Sequence, residues 1–407
     1  MSAVWATKWS RLSFAQLSSS HQFRRATCRS LRALVPTFRR CFEDLVRGFN
    51  RLRSTEFHRN IYAGVGEIQR TVFTTEANST LGGDVGEGLI AFCADHHEVP
   101  LPEDHRFPMT KYRATRMLLE GDIQLRDILE TRPAPLPSYD DVCLVHDEGY
   151  VQRFSSGQLT AKEQRAIGFP WSVELVRRSF ASTGGTVAAM HTVMQGQRKV
   201  AANIAGGTHH AFAGHGEGFC VFNDIAVASA ICLRDYPAKC NSQTPILVVD
   251  LDVHQGNGTS KLFENDDRVI TFDMHGAGNY PWKTKMKSNY DIGFPDGTKD
   301  EEYLAKLADW LPHLIELHDP SLIFFQAGVD ALKEDSFGRL AMTRQGLLKR
   351  NNMVYSACME RNLPLVITMG GGYSRPIDAS IEAHADVYRS AALRYGALKV
   401  NTRQTTK

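Results

Sequence analysis

Ile246-Leu247-Val248-Val249-Asp250-Leu251-Asp252-Val253-His254-Gln255-Gly256-Asn257-Gly258 is a short apolar run that ends in acids, an imidazole and glycines. Four aliphatic residues in a row are too few for a helix and suit a strand buried on both faces, as in a parallel sheet. At the carboxyl end, Asp250, Asp252 and His254 alternate with Leu251 and Val253. On an extended backbone the period of two puts all three on one side. Residues two apart are about 7 Å from each other, which leaves room for a cation between Asp252 and His254. Taken alone, such a D-x-D-x-H would as readily be a capped strand end with solvated acids.

The same texture extends outward. Further strands are expected at Leu89–Cys93, Val142–Val145, Val200–Ile204, Val269–Phe272, Leu322–Phe325 and Leu365–Met369, alongside Ile246–Asp250. Helical stretches are expected at 172–195, 224–234, 301–317, 343–361 and 376–394. Ser172 and Asn223-Asp224 supply start signals for two of them. The alternation predicts an α/β fold, a single-domain parallel sheet sandwiched by helices. In such sheets ligands bind outside the carboxyl ends of the strands. The unusual polar residues sit at those ends: Gly206-Gly207-Thr208-His209-His210, the Asp250–Gly258 run, Asp273, Gln326-Ala327-Gly328-Val329-Asp330, and Gly370-Gly371-Gly372-Tyr373.

Five such ends describe one assembled site. Asp330 is the natural third ligand beside Asp252 and His254, and two carboxylates, one imidazole and an open position suit a catalytic zinc (Zn2+). Adjacent side chains on a regular strand point opposite ways, so His209 and His210 share one site only if Gly206 and Gly207 bend the backbone. A histidine there can act as base and then acid. Asp250 is placed to orient one ring and Asn257 the other, the neutral amide holding an imidazolium less well than a carboxylate. The Tyr373 phenol can donate to a developing oxyanion. Phe219 and Tyr280 could line a narrow apolar entry, or simply pack a loop. Cys220 has no nearby cation to activate it and reads as structural. No G-x-S-x-G occurs, so a serine nucleophile is not expected.

Composition bounds the reading. The chain has 407 residues, 43% hydrophobic and 23% charged, an ordinary globular mix. Its eight cysteines are scattered, which suits a reducing compartment. No run approaches the roughly 20 apolar residues of a membrane span. Residues 1–42 carry eight Lys and Arg and no acid, more than the whole net charge of +2, so the body is acidic and a poor direct ligand for nucleic acid. That N-terminal composition fits a transit peptide for chloroplast or mitochondrion, with a disordered basic tail or a nuclear signal as alternatives. Residues 43–88 are expected as a helix and a glycine-rich connector, 89–397 as the catalytic domain, and 398–407 as a tail.

Ala205–His210, Gly218-Phe219-Cys220-Val221-Phe222-Asn223-Asp224, Asp250–Gly258, Ala327-Gly328-Val329-Asp330 and Gly371-Gly372-Tyr373 together resemble zinc-dependent histone deacetylases, in that family's order, over roughly Leu89 to Ala397. The resemblance implies the arginase/deacetylase fold, with Asp252, His254 and Asp330 as zinc ligands. It implies His210 as general base and acid, His209 as electrostatic support backed by Asp250, and Tyr373 at the transition state. Gly218, Phe219 and Tyr280 match the substrate channel. A structural potassium (K+) near Asp250, Asp252 and His254 is also implied, with Asp273 where serine is usual. Asn257 stands where the best-known members carry Asp, and Gln255-Gly256-Asn257-Gly258 resembles the class IV and bacterial branch, associated with longer fatty-acyl groups. The implied activity is removal of acetyl or longer acyl groups from lysine in histones or other proteins, and hence a chromatin role. Hydrolysis of small acylated amines, and an inactive metal-bound scaffold, are the alternatives.

Overall fold

The computed structural model describes residues 87–397. The expected leader at 1–42, nearly all of the connector and the 398–407 tail lie outside the described residues. Eight strands form one parallel sheet: β1 Leu89–Cys93, β2 Leu129–Pro133, β3 Val200–Ile204, β4 Ile246–Asp250, β5 Val269–Gly276, β6 Tyr290–Phe294, β7 Leu322–Gln326 and β8 Leu365–Thr368. Their order across the sheet is β2-β1-β3-β8-β7-β4-β5-β6.

Every residue of β1, β3, β4, β7 and β8 is buried, because helices cover both faces of the sheet centre. Along β4 the period of two sends Leu247 and Val249 into one apolar core and Ile246 and Val248 into the other. The edge strands β2 and β6 are half exposed, and their sequences LETRP and YDIGF carry the polar residues that an edge tolerates. Apolar runs alone therefore do not reveal them.

The helices are α1 Lys111–Gly121, α2 Tyr139–Val142, α3 Glu148–Ser155, α4 Ala161–Ile167, α5 Val173–Met194, α6 Asp224–Asp235, α7 Asn257–Leu262, α8 Asp300–His318, α9 Arg344–Glu360 and α10 Asp378–Gly396. The five long ones fall where periodicity predicts them. The Ser172 and Asn223 side chains cap α5 and α6 by accepting from Leu175 N and Ala226 N.

The expected strand at Val142–Val145 is not a strand. Ser138 and Asp141 form a reciprocal capping box that starts α2, and the apolar run after it buries Val142 in a third cluster with Phe154 and Phe222. Helices α1, α3, α4 and α7 are additions to the expected set, and for α4 the Thr160–Glu163 capping box was a usable signal. Strand β5 runs on past Phe272 to Gly276, so Asp273 lies inside it, beside Asp250 in register. No described helix is long and apolar enough to cross a membrane.

Candidate active site

The site begins at the carboxyl ends of β4 and β7. Asp252 Oδ1 accepts from His254 N at 3.0 Å, and Asp330 Oδ1 accepts from Val253 N at 2.9 Å, so both carboxylates are fixed by the backbone of the segment after β4. His254 Nδ1 then lies 3.1 Å from Asp252 Oδ1 and 3.0 Å from Asp330 Oδ2. The three ligand atoms lie within 4.8 Å of one another, and all three residues are buried. A Cβ on Gly371 would stand 1.8 Å from Asp330 Oδ2, so only glycine lets this turn approach, and Gly371 N donates to Asp252 Oδ2 at 2.7 Å.

Two buried carboxylates facing one imidazole leave excess negative charge. Burial, and then the adjacent Asp252, push Asp330 up to about 7. His254 is pulled down by burial but lifted further by Asp252 and Asp330, to about 10. A divalent cation satisfies this donor set directly, and its chemistry, two carboxylate oxygens and one imidazole nitrogen, fits zinc.

His209 and His210 follow β3. Gly206 and Gly207 take φ of 72° and 76°, the bend that brings both rings to one site with centroids 4.2 Å apart. Asp224, at the start of α6, accepts from Gly207 N and Thr208 N at 3.0 and 2.7 Å and fixes the turn. Gln326 Nε2 donates to Gly207 O at 2.8 Å. His209 Nδ1 meets Asp250 Oδ2 and His210 Nδ1 meets Asn257 Oδ1, both at 2.7 Å. Burial opposes charge on His209, but Asp250 and Asp252 hold it up at about 9. His210 is held well below the usual range by burial and by the neighbouring His209 and His254.

Tyr373 is partly exposed and anchored by its backbone, whose N–H donates to Asp335 Oδ2 at 2.6 Å. Burial and the Asp330 and Asp252 carboxylates keep its phenol well above the ordinary value. Gly218 lies against both His210 and Tyr280: a Cβ there would stand 2.8 Å from His210 Cδ2 and 3.0 Å from Tyr280 Cε1. The Tyr280 ring is 5.0 Å from that of His210. Phe219, at φ 66°, packs against Phe107 and Phe169 at 5.0 and 5.3 Å. Every residue expected in the site is thus drawn into one region. Cys220 is buried and its thiol pushed far up by burial, as befits a structural residue. Asp273, expected near a potassium, spends its oxygens on Gly256 N and the His275 ring, each at 2.7 Å.

Two participants had no signal in the sequence. Phe337 packs 4.9 Å from the Tyr373 ring and extends the aromatic wall. Lys111, at the start of α1, is completely buried; its Nζ donates to Gly372 O at 3.2 Å and lies 4.6 Å from the Tyr373 ring centroid. Burial pulls that ammonium down to about 8, against the pull of Asp330, Asp335 and Asp252. A lone lysine in a Met-Thr-Lys-Tyr stretch shows none of this.

The eight-stranded parallel sheet, which gathers Asp250, Asp252, Asp330, three histidines and a tyrosine at its strand ends, has the arginase/deacetylase fold. The histone deacetylase domain model matches residues 105–388. An uncharacterized protein of Picosynechococcus is 41% identical over 294 residues, 72% of this chain and 94% of that protein. Histone deacetylase 2 of Arabidopsis thaliana is 31% identical over 293 residues, 68% of this chain and 73% of that one. Histone deacetylase 1 of Homo sapiens is 33% identical over 203 residues, 47% and 40% of the two chains. The fold matches the crystal structure of an HDAC homolog complexed with SAHA, with TM-score 0.63 and 23% identity over 75% of this chain and 84% of that one. The chain belongs to the histone deacetylase family.

Proposed function

We propose that the protein is a zinc-dependent hydrolase that removes acyl groups, acetyl or longer, from lysine side chains of proteins. The observation that carries this reading is the His210 ring, held at Nδ1 by Asn257 and 6.0 Å from the His254 ring, beside the buried Asp252, His254 and Asp330 cluster.

Asp252, His254 and Asp330 would hold the zinc, which when bound polarises the amide carbonyl and acidifies a water. The remaining work falls to the chain's own groups. His210 keeps its Nδ1–H on Asn257 Oδ1, so Nε2 carries the lone pair and takes the proton of the attacking water. The Tyr373 hydroxyl donates to the oxyanion that forms at the carbonyl carbon. His210 returns its proton to the lysine nitrogen as the C–N bond breaks, leaving a carboxylate and a free amine. His209, held protonated by Asp250, supplies fixed positive charge beside the developing anion. Phe219, Tyr280 and Phe337 enclose the lysine stem and exclude water.

The test is a panel of acetyl-, butyryl- and myristoyl-lysine peptides run beside acetylated small amines, using zinc-loaded full-length protein. Turnover of the peptides above the small amines is the expected result. Turnover of the small amines alone would replace the substrate class, and no turnover of any amide would overturn the reading.

A further inference from the structure

His210 is backed by an amide, and an amide carries no net charge with which to hold the imidazolium formed in turnover. The hydrogen-bond chain does not end there. Asn257 Nδ2 donates to Glu217 Oε1 at 2.8 Å and to Thr284 O at 3.1 Å. Thr284 Oγ1 donates to the same glutamate oxygen at 3.3 Å. Both amide protons are therefore used, which aims Asn257 Oδ1 at His210 and leaves no freedom for the amide to flip. Glu217 itself sits in a braced turn, its carbonyl accepting from Cys220 N at 2.9 Å. Among the described residues Glu217 forms no ion pair with Lys or Arg, and besides Asn257 and Thr284 the Tyr280 phenol hydrogen-bonds its carboxylate.

We propose that Glu217 is a positioning residue that lends its negative charge to His210 through the Asn257 amide. The His210–Asn257–Glu217 chain then performs at one remove what the His209–Asp250 contact performs directly. The physical basis is polarisation: an amide that donates to a carboxylate becomes a stronger acceptor at its oxygen. Glu217 also fixes the ring tautomer, because only an oxygen at that position keeps the proton on Nδ1 and the lone pair on Nε2. The turn that carries Glu217 also carries Gly218 and Phe219, so the channel wall and the support of the base come from one loop.

This inference rests on the hydrolase reading above, and its test separates the two. Zinc-loaded full-length protein is compared as wild type, Glu217→Gln, Asn257→Asp and the double variant on an acyl-lysine peptide. Glu217→Gln keeps the shape and an acceptor but removes the charge behind the Asn257 amide; kcat should fall about tenfold with KM nearly unchanged. Asn257→Asp alone sets two carboxylates against each other and removes both amide donors, and kcat should fall at least as far. The double variant exchanges the two groups: the carboxylate now faces the ring directly, and the amide behind it donates to that carboxylate. Its kcat should return to within about threefold of wild type. Selective 15N-histidine NMR without substrate should show His210 protonated at Nδ1 in wild type and in the double variant, and a mixture of tautomers in Glu217→Ala. Unchanged kcat in Glu217→Gln, or losses that simply add in the double variant, overturn the role of Glu217 while leaving the hydrolase reading intact. A wild type that hydrolyses no acyl amide overturns both.

Discussion

His209 and His210 are consecutive in sequence and their rings lie 4.2 Å apart, yet their surroundings push their proton affinities in opposite directions. Asp250 lies against His209 and, with Asp252, overcomes the cost of burying a charge, so that ring stays protonated near neutrality. His210 has a neutral amide at the same 2.7 Å, and burial beside two other imidazoles keeps it neutral. The same residue type, given two partners, yields a fixed cation and a free base. Role follows from the atom behind the ring, not from the ring itself.

The sharpest way to break this contrast is to delete each ring in turn. His210→Ala should lower kcat by about 10^3, within the usual range for loss of a general base, while zinc stays bound. His209→Ala should cost less, about tenfold to a hundredfold, as loss of a fixed charge. Metal analysis beside steady-state kinetics checks both, and a larger loss at His209 would exchange the two roles.

Tyr373→Phe removes the donor that answers the pair from the other wall. Its expected cost is about 10^2 in kcat, with KM little changed. A trifluoroacetyl-lysine substrate, whose carbonyl is already activated, should be less sensitive to this change; equal losses on both substrates would argue against an oxyanion contact.

Asp250→Asn makes the two partners alike. It should lower kcat by about tenfold, since an unsupported His209 is neutral for much of the neutral range. The pH profile sharpens the same point. The active form of His210 is the neutral ring, and its value is depressed, so kcat/KM should hold steady as pH falls through 6.5 and decline only below it. An acidic limb centred above 7 would mean that another group is the base.

The smallest expected effect concerns the support beneath the pair. His146 donates from Nδ1 to Phe212 O and accepts at Nε2 from Asn223 N, each at 2.9 Å, as a buried neutral ring whose value burial lowers to about 4. The unfolded chain would bind a proton near 6.5 that the folded chain refuses. Stability is therefore fully present above about 6.5 and is lost as pH falls from there towards 4, by about 2–3 kcal/mol. Urea unfolding at pH 7.5 and pH 4.5 measures it, and a His146→Gln variant should show less of the loss.

The strands of the sheet centre are legible because a segment buried on both faces must be apolar throughout, as Ile246–Val249 and Leu322–Phe325 are. The edges β2 and β6 are hidden because one exposed face admits Glu130, Arg132 and Asp291. Val142–Val145 misleads for the converse reason: a short apolar run states only that something is buried, and the Ser138 capping box decides the backbone.

The site divides along the same line. The chemistry of Asp250, Asp252, His254, Asp330, the histidine pair and Tyr373 was written in residue type and in spacing, since the period of a strand and the glycines before a turn are local properties. Which ring is charged, which way the Asn257 amide faces, and the presence of Glu217, Lys111 and Phe337 were settled only by the folded chain. Those contacts join residues far apart in sequence, such as Asn257 with Glu217, 40 positions away, and Lys111 with Gly372, 261 positions away. A local pattern carries no information about such distances, and the field at a buried ring depends on every charge that folding brings near it.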